Sequence, residues 1–109
     1  MKKTRHAESL QYALDILLGD VYRPYIKAIY LYGSCARCEQ TESSDVDLFL
    51  FLDKSIPHKK RIAIRCDVIP DNYLLPEVDI HYSFSDRFSI DKTFQSELER
   101  DGKLLWERR

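Results

Sequence analysis

At 109 residues the chain is long enough for one core, and we expect residues 1–109 to form a single domain. Hydrophobic residues at 44% and charged residues at 32% are typical of a globular protein, and a net charge of −1 gives no reason to expect direct nucleic-acid binding. No segment approaches the roughly 20 apolar residues of a membrane span, so we expect no membrane association. Three cysteines, an odd number, fit reduced thiols in the cytoplasm better than a disulfide framework.

The first part of the chain predicts a helix followed by a strand. In residues 9–22 apolar side chains recur at helical spacing, and Pro24 marks the end of that helix; the stripe comprises Leu10, Ala13, Leu14, Leu17, Leu18 and Val21. Residues 27–32 are β-branched and aromatic and predict a strand that enters a turn at Gly33. Residues 34–39 predict a short helix with Ser34 near its N-cap.

The second part of the chain predicts three more strands and two more helices. After a polar loop at 40–44, residues 46–52 are apolar at every position but Asp47, which predicts a central strand covered on both faces. Ser55 and Pro57 open a helix to about Cys66, residues 77–84 form a strand, and a last helix runs from Ser89 to a stop at Gly102. A short strand at 103–107 ends the chain. The fold class is therefore α/β (α+β), a small mixed sheet flanked by helices.

The most informative motif is a Gly-Ser pair, Gly33-Ser34, separated by ten residues from Asp45-Val46-Asp47. A strand that turns at Gly-Ser into a helix offers backbone N–H groups to a phosphate, and Gly33 lets that phosphate approach without a Cβ in the way. Asp45 and Asp47, at i and i+2 of an extended segment, lie on one face and can converge on a divalent cation. A phosphate site beside a metal site is suited to nucleotidyl transfer.

Three further residues are candidates for the same site. Asp79 lies between two apolar residues in a predicted strand, and we expect it to share the metal and to accept a proton from the attacking hydroxyl; the alternative is a strand acid that faces solvent. Arg37, one helical turn after Ser34, is placed to neutralise phosphate charge, although a surface arginine fits the pattern nearly as well. Ser44 precedes the two acids and either caps the loop or contacts phosphate.

This pattern closely resembles the signature of minimal nucleotidyltransferases of the polymerase-β-like superfamily. The resemblance includes Ala36-Arg37 after Gly-Ser, Ser44 before the first acid, and Asp79 in the place of the third carboxylate. It implies a nucleotidyltransferase fold, ATP or another nucleoside triphosphate as donor, and two Mg²⁺ ions held by the three acids, with Gly33 and Ser34 on the β- and γ-phosphates. It also implies a partner, because many such proteins are antitoxins of HEPN ribonuclease toxins, which they silence by transferring AMP to a tyrosine or by binding alone.

Two other functions stay open at this point. The first is transfer of a nucleotide to a small molecule, as in aminoglycoside nucleotidyltransferases, although 109 residues leave little chain for an acceptor pocket. The second is a non-catalytic antitoxin that neutralises a toxin by complex formation alone. Intact acidic residues argue against a decayed enzyme but do not prove turnover.

Overall fold

The computed structural model describes residues 5–33, 44–72, 74–84, 96, 100 and 102–108. Within them lie two helices, α1 and α2, a short 3-10 turn and four strands, β1 to β4. Their bounds are α1 Arg5–Leu17, the 3-10 turn Arg23–Tyr25, β1 Ile26–Tyr32, β2 Val46–Leu52, α2 His58–Asp67, β3 Val78–Ser83 and β4 Lys103–Glu107. None of the helices in these described ranges is long and apolar enough to cross a membrane.

The four strands form one mixed sheet in the order β3-β2-β1-β4. β1 pairs antiparallel with both β2 and β4, whereas β2 and β3 run parallel. β2 is therefore an inner strand, which confirms the prediction made from its nearly unbroken apolar run. The mixed sheet and the helices confirm the predicted fold class.

The two faces of the sheet have different neighbours. On one face, alternate residues of the inner strands pack with both helices; this core includes Ala13 and Leu17 of α1, Leu48 and Leu50 of β2, and Ile64 of α2. On the opposite face, alternate residues form a smaller aromatic cluster, which comprises Ala28, Tyr30, Tyr32, Phe49 and Phe51. Asp47 shares the face of this aromatic cluster because side chains alternate along a strand.

The predicted first helix is wrong at both ends. It begins at Arg5, before the first apolar residue of the stripe, and it ends at Leu17, after which the chain turns at Gly19. Val21, expected in the buried stripe, is therefore 54% exposed. The early start has a physical reason: buried His6 and Ser9 hold the first turns against the loops beneath them by hydrogen bonds, which apolar periodicity does not record.

The other elements agree with their predictions to within a few residues. β1 begins one residue earlier than expected, β2 and β4 have the predicted bounds, and β3 is shorter than predicted by one residue at each end. α2 begins at His58, so that Pro57 is its N-cap rather than a residue of its first turn. The helix expected at 34–39 lies outside the described residues. So does most of the predicted last helix, of which Ser96 and Arg100 are described and helical.

Candidate active site

The acids meet at one edge of the sheet, where β1 ends and where β2 and β3 begin. In the register of the parallel pair, Asp47 of β2 lies opposite Asp79 of β3. On its other side Asp47 lies opposite Tyr32, the last residue of β1. Because cross-strand partners project from the same face, these three side chains form one row across the sheet. The sequence placed Asp79 in a strand, and the structure brings it beside Asp47.

Gly33 follows Tyr32 directly and packs against the Asp47 carboxylate. Its φ of +73° lies in the left-handed region that favours glycine. A Cβ on Gly33 would lie 2.5 Å from Asp47 Oδ2, closer than real contacts allow. We expected a phosphate to approach Gly33; in the structure the nearest side-chain atoms at this position belong to the Asp47 carboxylate. Gly33 is thus required by its conformation and by the close approach of Asp47.

Ser44 and Asp45 lead into β2 at the same edge. Asp45 is exposed, and the Val46 N–H that follows it donates to the Glu77 carbonyl at 2.9 Å, which joins the starts of β2 and β3. The Ser44 carbonyl accepts a hydrogen bond from His6 at 2.8 Å. Ser34 and Arg37, the other two predicted phosphate contacts, lie outside the described residues.

Asp79 is accessible and has a histidine partner. Its side chain is 56% exposed, and the His81 Nε2–H donates to its Oδ2 at 3.1 Å. His81 lies two residues further along β3, on the same face, and its ring meets that of Tyr32 edge to face with centroids 6.0 Å apart. The expected alternative, an acid that faces solvent, therefore describes the exposure of Asp79 correctly but omits its neighbour Asp47.

Tyr32 was predicted only as the last residue of a strand, and its place in this row was missed. Burial, and then the negative charges of Asp47 and Asp79, raise the pKa of the Tyr32 phenol well above its ordinary value of 10.0. The phenol therefore keeps its proton at neutral pH, and it can donate a hydrogen bond but adds no charge. One signal was available: Tyr32 directly precedes Gly33, so that it ends β1 at the edge where the acids begin β2.

The donor set suits a hard divalent cation, which prefers carboxylate oxygens. Asp47 and Asp79 supply two carboxylates on one face of the sheet. Across the ranges that the structure describes, no group of three or more His, Cys, Asp or Glu side chains stands in an arrangement that could hold a metal ion.

Comparison with known proteins gives the family. The family model described as "Polymerase beta, Nucleotidyltransferase" matches residues 21–109. No curated protein matches the chain.

Solved structures of similar fold were also found. A chain of a toxin–antitoxin structure with AMP-PNP has a TM-score of 0.60 and 19% identity, over 94% of this chain and 73% of that one. A protein assigned as a nucleotidyltransferase from Sulfolobus solfataricus has a TM-score of 0.54 and 24% identity, over 98% and 91%. A structure of a tri-AMPylated Shewanella oneidensis HEPN toxin with its MNT antitoxin has a TM-score of 0.54 and 18% identity, over 92% and 73%. These likenesses agree with the observed sheet, and the family match covers β1 to β4 with the acids they carry: the chain belongs to the polymerase-beta-type nucleotidyltransferase family.

Proposed function

We propose that this nucleotidyltransferase uses Mg²⁺ and ATP to transfer AMP to a tyrosine hydroxyl of a HEPN-type toxin, and thereby acts as an antitoxin. The observation that carries the proposal is the pairing of Asp47 with Asp79 across parallel strands, with Gly33 packed against Asp47. The tri-AMPylated toxin found with the MNT antitoxin of similar fold supports the choice of acceptor. The AMP-PNP in another similar structure supports ATP as the donor.

We assign the roles of the residues as the resemblance to minimal nucleotidyltransferases implies. Asp45, Asp47 and Asp79 would hold the metal ions, which when bound supply positive charge against the triphosphate. Gly33 and Ser34 would bind the β- and γ-phosphates through backbone N–H groups and a hydroxyl. Arg37 and Ser44 would add contacts to the phosphates.

The chemical step is an in-line displacement. The acceptor hydroxyl oxygen forms a bond to the α-phosphorus, the bond from that phosphorus to the pyrophosphate oxygen breaks, and the hydroxyl proton passes to Asp79. Asp79 suits this role because it is accessible to a second protein, whereas Asp47 lies deeper between β1 and β3. A protein acceptor also suits a small domain, since it brings its own surface to the open edge.

The test is incubation of the purified protein with Mg²⁺ and α-labelled ATP, with and without a HEPN-type partner encoded beside it. We expect label on the partner, checked by intact mass, and none with Asp47→Asn. Asp71→Asn is the matched control, because Asp71 is an exposed acid in the loop before β3 and makes the same change of charge. Transfer by a folded Asp47→Asn variant at the wild-type rate would rule out the assignment of the acids.

The same experiment separates the other two functions. A stable complex and protection from the toxin without any label, unchanged in the Asp47→Asn variant, would show a non-catalytic antitoxin. Label on an aminoglycoside and none on the protein partner would show a small-molecule transferase. Cell protection measured in parallel with label therefore decides among the three.

A further inference from the structure

Two buried polar residues of α1 reach the loops that lead into the acid-bearing strands. The Ser9 hydroxyl donates to the Pro76 carbonyl at 2.6 Å, and the His6 Nε2 lies 2.8 Å from the Ser44 carbonyl. A carbonyl only accepts, so His6 carries its proton on Nε2. Ser9 is 0% and His6 9% exposed, and they are the buried polar side chains of the described part of the chain. A polar group that is buried loses its hydrogen bonds to water and needs a partner in the protein, so loss of either bond is costly.

The two carbonyls occupy equivalent positions. Ser44 lies two residues before the start of β2 at Val46, and Pro76 lies two residues before the start of β3 at Val78. Val46 and Val78 are register partners, and one residue further along the strands Asp47 faces Asp79. His6 and Ser9 are three residues apart and therefore lie on the same face of α1. One face of α1 thus hydrogen-bonds two carbonyls that lie at equivalent positions before two parallel strands.

The hydrogen bond between the strands completes this arrangement. The Val46 N–H donates to the Glu77 carbonyl at 2.9 Å, between the two points that α1 holds. Arg5 adds an exposed contact to the Leu74 carbonyl at 3.3 Å, on the same loop as Pro76. Apolar packing of Ala13 and Leu17 fixes the helix over the sheet but has no preferred direction along the strands. The hydrogen bonds of His6 and Ser9 are directional, so they can fix the position of α1 along the strands.

We propose that His6 and Ser9 are positioning residues of the active site. They fix the position of β2 relative to β3 along the strand direction, so that the Asp47 and Asp79 carboxylates lie side by side. The inference rests on the proposed transfer reaction for its kinetic consequence, but not for its structural one. A shift between the two strands of a fraction of an ångström would separate two carboxylates that have to act on one nucleotide, and misplacement on that scale lowers rates steeply.

The first test uses Ser9→Ala, with Gln11→Ala as the matched control. Gln11 lies on the exposed side of the same helix, where its amide donates to Asp15 at 2.7 Å, so the control removes one helical side-chain hydrogen bond without touching the strands. We expect Ser9→Ala to lower kcat for AMP transfer about tenfold with KM for ATP within about twofold of wild type. We expect the control to match wild type in both constants.

The second test needs no turnover. Amide hydrogen exchange is measured at Val46, which lies between the two held points, and at Leu50 in the middle of the same strand. We expect Ser9→Ala to speed exchange at Val46 about tenfold and to leave Leu50 within about twofold of wild type, because the loss is local. Equal acceleration at both amides would show a general loss of stability and would overturn the proposal.

Conservative replacement at His6 distinguishes positioning from packing. His6→Gln keeps an N–H donor of comparable reach, whereas His6→Leu keeps apolar volume without a donor. We expect His6→Gln to keep kcat and the exchange rate at Val46 near their wild-type values. We expect His6→Leu to lower kcat and to speed exchange at Val46. Equal behaviour of the two variants would refute the role of the hydrogen bond. If wild type transfers no label at all, the proposed function fails, and the exchange data alone still decide whether His6 and Ser9 hold the strands.

Discussion

Replacement of Gly33 by alanine puts a methyl group against the Asp47 carboxylate. The new Cβ would lie 2.5 Å from Asp47 Oδ2, where contacts below 3.0 Å essentially do not occur. The carboxylate therefore has to move by about half an ångström, away from the place where it stands beside Asp79. The new Cβ would also lie 3.3 Å from the Asp47 Cγ, a tight contact, so the carboxylate group as a whole has to give way. The substitution thus displaces one acid of the pair and leaves its chemistry intact.

The magnitudes follow from two separate effects. An alanine held at a φ of +73° costs about 1 kcal/mol of stability, which for a domain of this size lowers Tm by about 4 °C. Misplacement of the acid by about half an ångström lowers kcat for AMP transfer by about tenfold or more. A loss of only 1 kcal/mol leaves nearly all molecules folded at 25 °C, so the loss of activity cannot come from unfolding.

The assay compares Gly33→Ala with Gly19→Ala, the same chemical change at a glycine without positive φ. At Gly19 the nearest atoms to a new Cβ are the Ile16 and Asp15 carbonyl oxygens at 3.3 and 3.4 Å, remote from the acids. We expect Gly19→Ala to keep full transfer activity and to change Tm by less than about 2 °C. Label transfer and thermal melting are measured on both variants. Wild-type kcat in a folded Gly33→Ala protein would refute the argument that Asp47 must stay where Gly33 allows it.

Three further changes have defined outcomes. Asp47→Asn should abolish label transfer and keep the wild-type Tm to within about 3 °C, as circular dichroism melting will show. Tyr32→Phe should reduce the loss of stability above pH 10. The pKa of the Tyr32 phenol is raised on folding, so the phenol stabilises the protein below its ordinary pKa of 10.0 and this contribution is lost as the pH rises further. Urea unfolding of both proteins at pH 8 and 10.5 measures the difference. Asp53→Asn should make stability less dependent on pH below about pH 4. Hydrogen bonds from Ser55 and then the charge of Arg108 lower the Asp53 pKa from 3.8, so the ionised carboxylate stabilises the fold and this stabilisation is lost as the pH falls. An unchanged dependence of stability on acid pH would contradict this.

The sequence predicted the strands well because their signal is local. The unbroken apolar run of β2 indicated an inner strand, and the acids at its start indicated a site at one edge of the sheet. The family model and the observed mixed sheet confirm the fold and the family. That Asp47 faces Asp79 could not be read locally, since it depends on which strands pair and in which register. The catalytic roles of these residues stay predictions.

What the sequence could not predict is long-range. His6 lies outside the predicted first helix, and Ser9 is only the first residue of that prediction, although the helix in fact begins at Arg5. Their partners lie 38 and 67 residues away in the chain. Periodicity identifies apolar contacts by spacing within one element, so it has no means of finding a polar residue whose partner lies in another loop. The failure at the start of α1 and the missed hydrogen bonds have this one cause.

The aromatic cluster gives the carboxylate pair its electrostatic character. Phe49 and Phe51 continue the face of Asp47 and are 7% and 4% exposed, so that one side of the acid row borders an apolar surface. Two like charges beside such a surface are screened less than in water, and, after burial, they contribute to the raised pKa of Tyr32. A cation relieves that repulsion, whereas a free triphosphate increases it. On the proposed function, we therefore expect ATP to bind at this edge of the sheet only together with its metal ions. In a stopped-flow experiment with Mg²⁺ withheld, no ATP should bind until the metal is added.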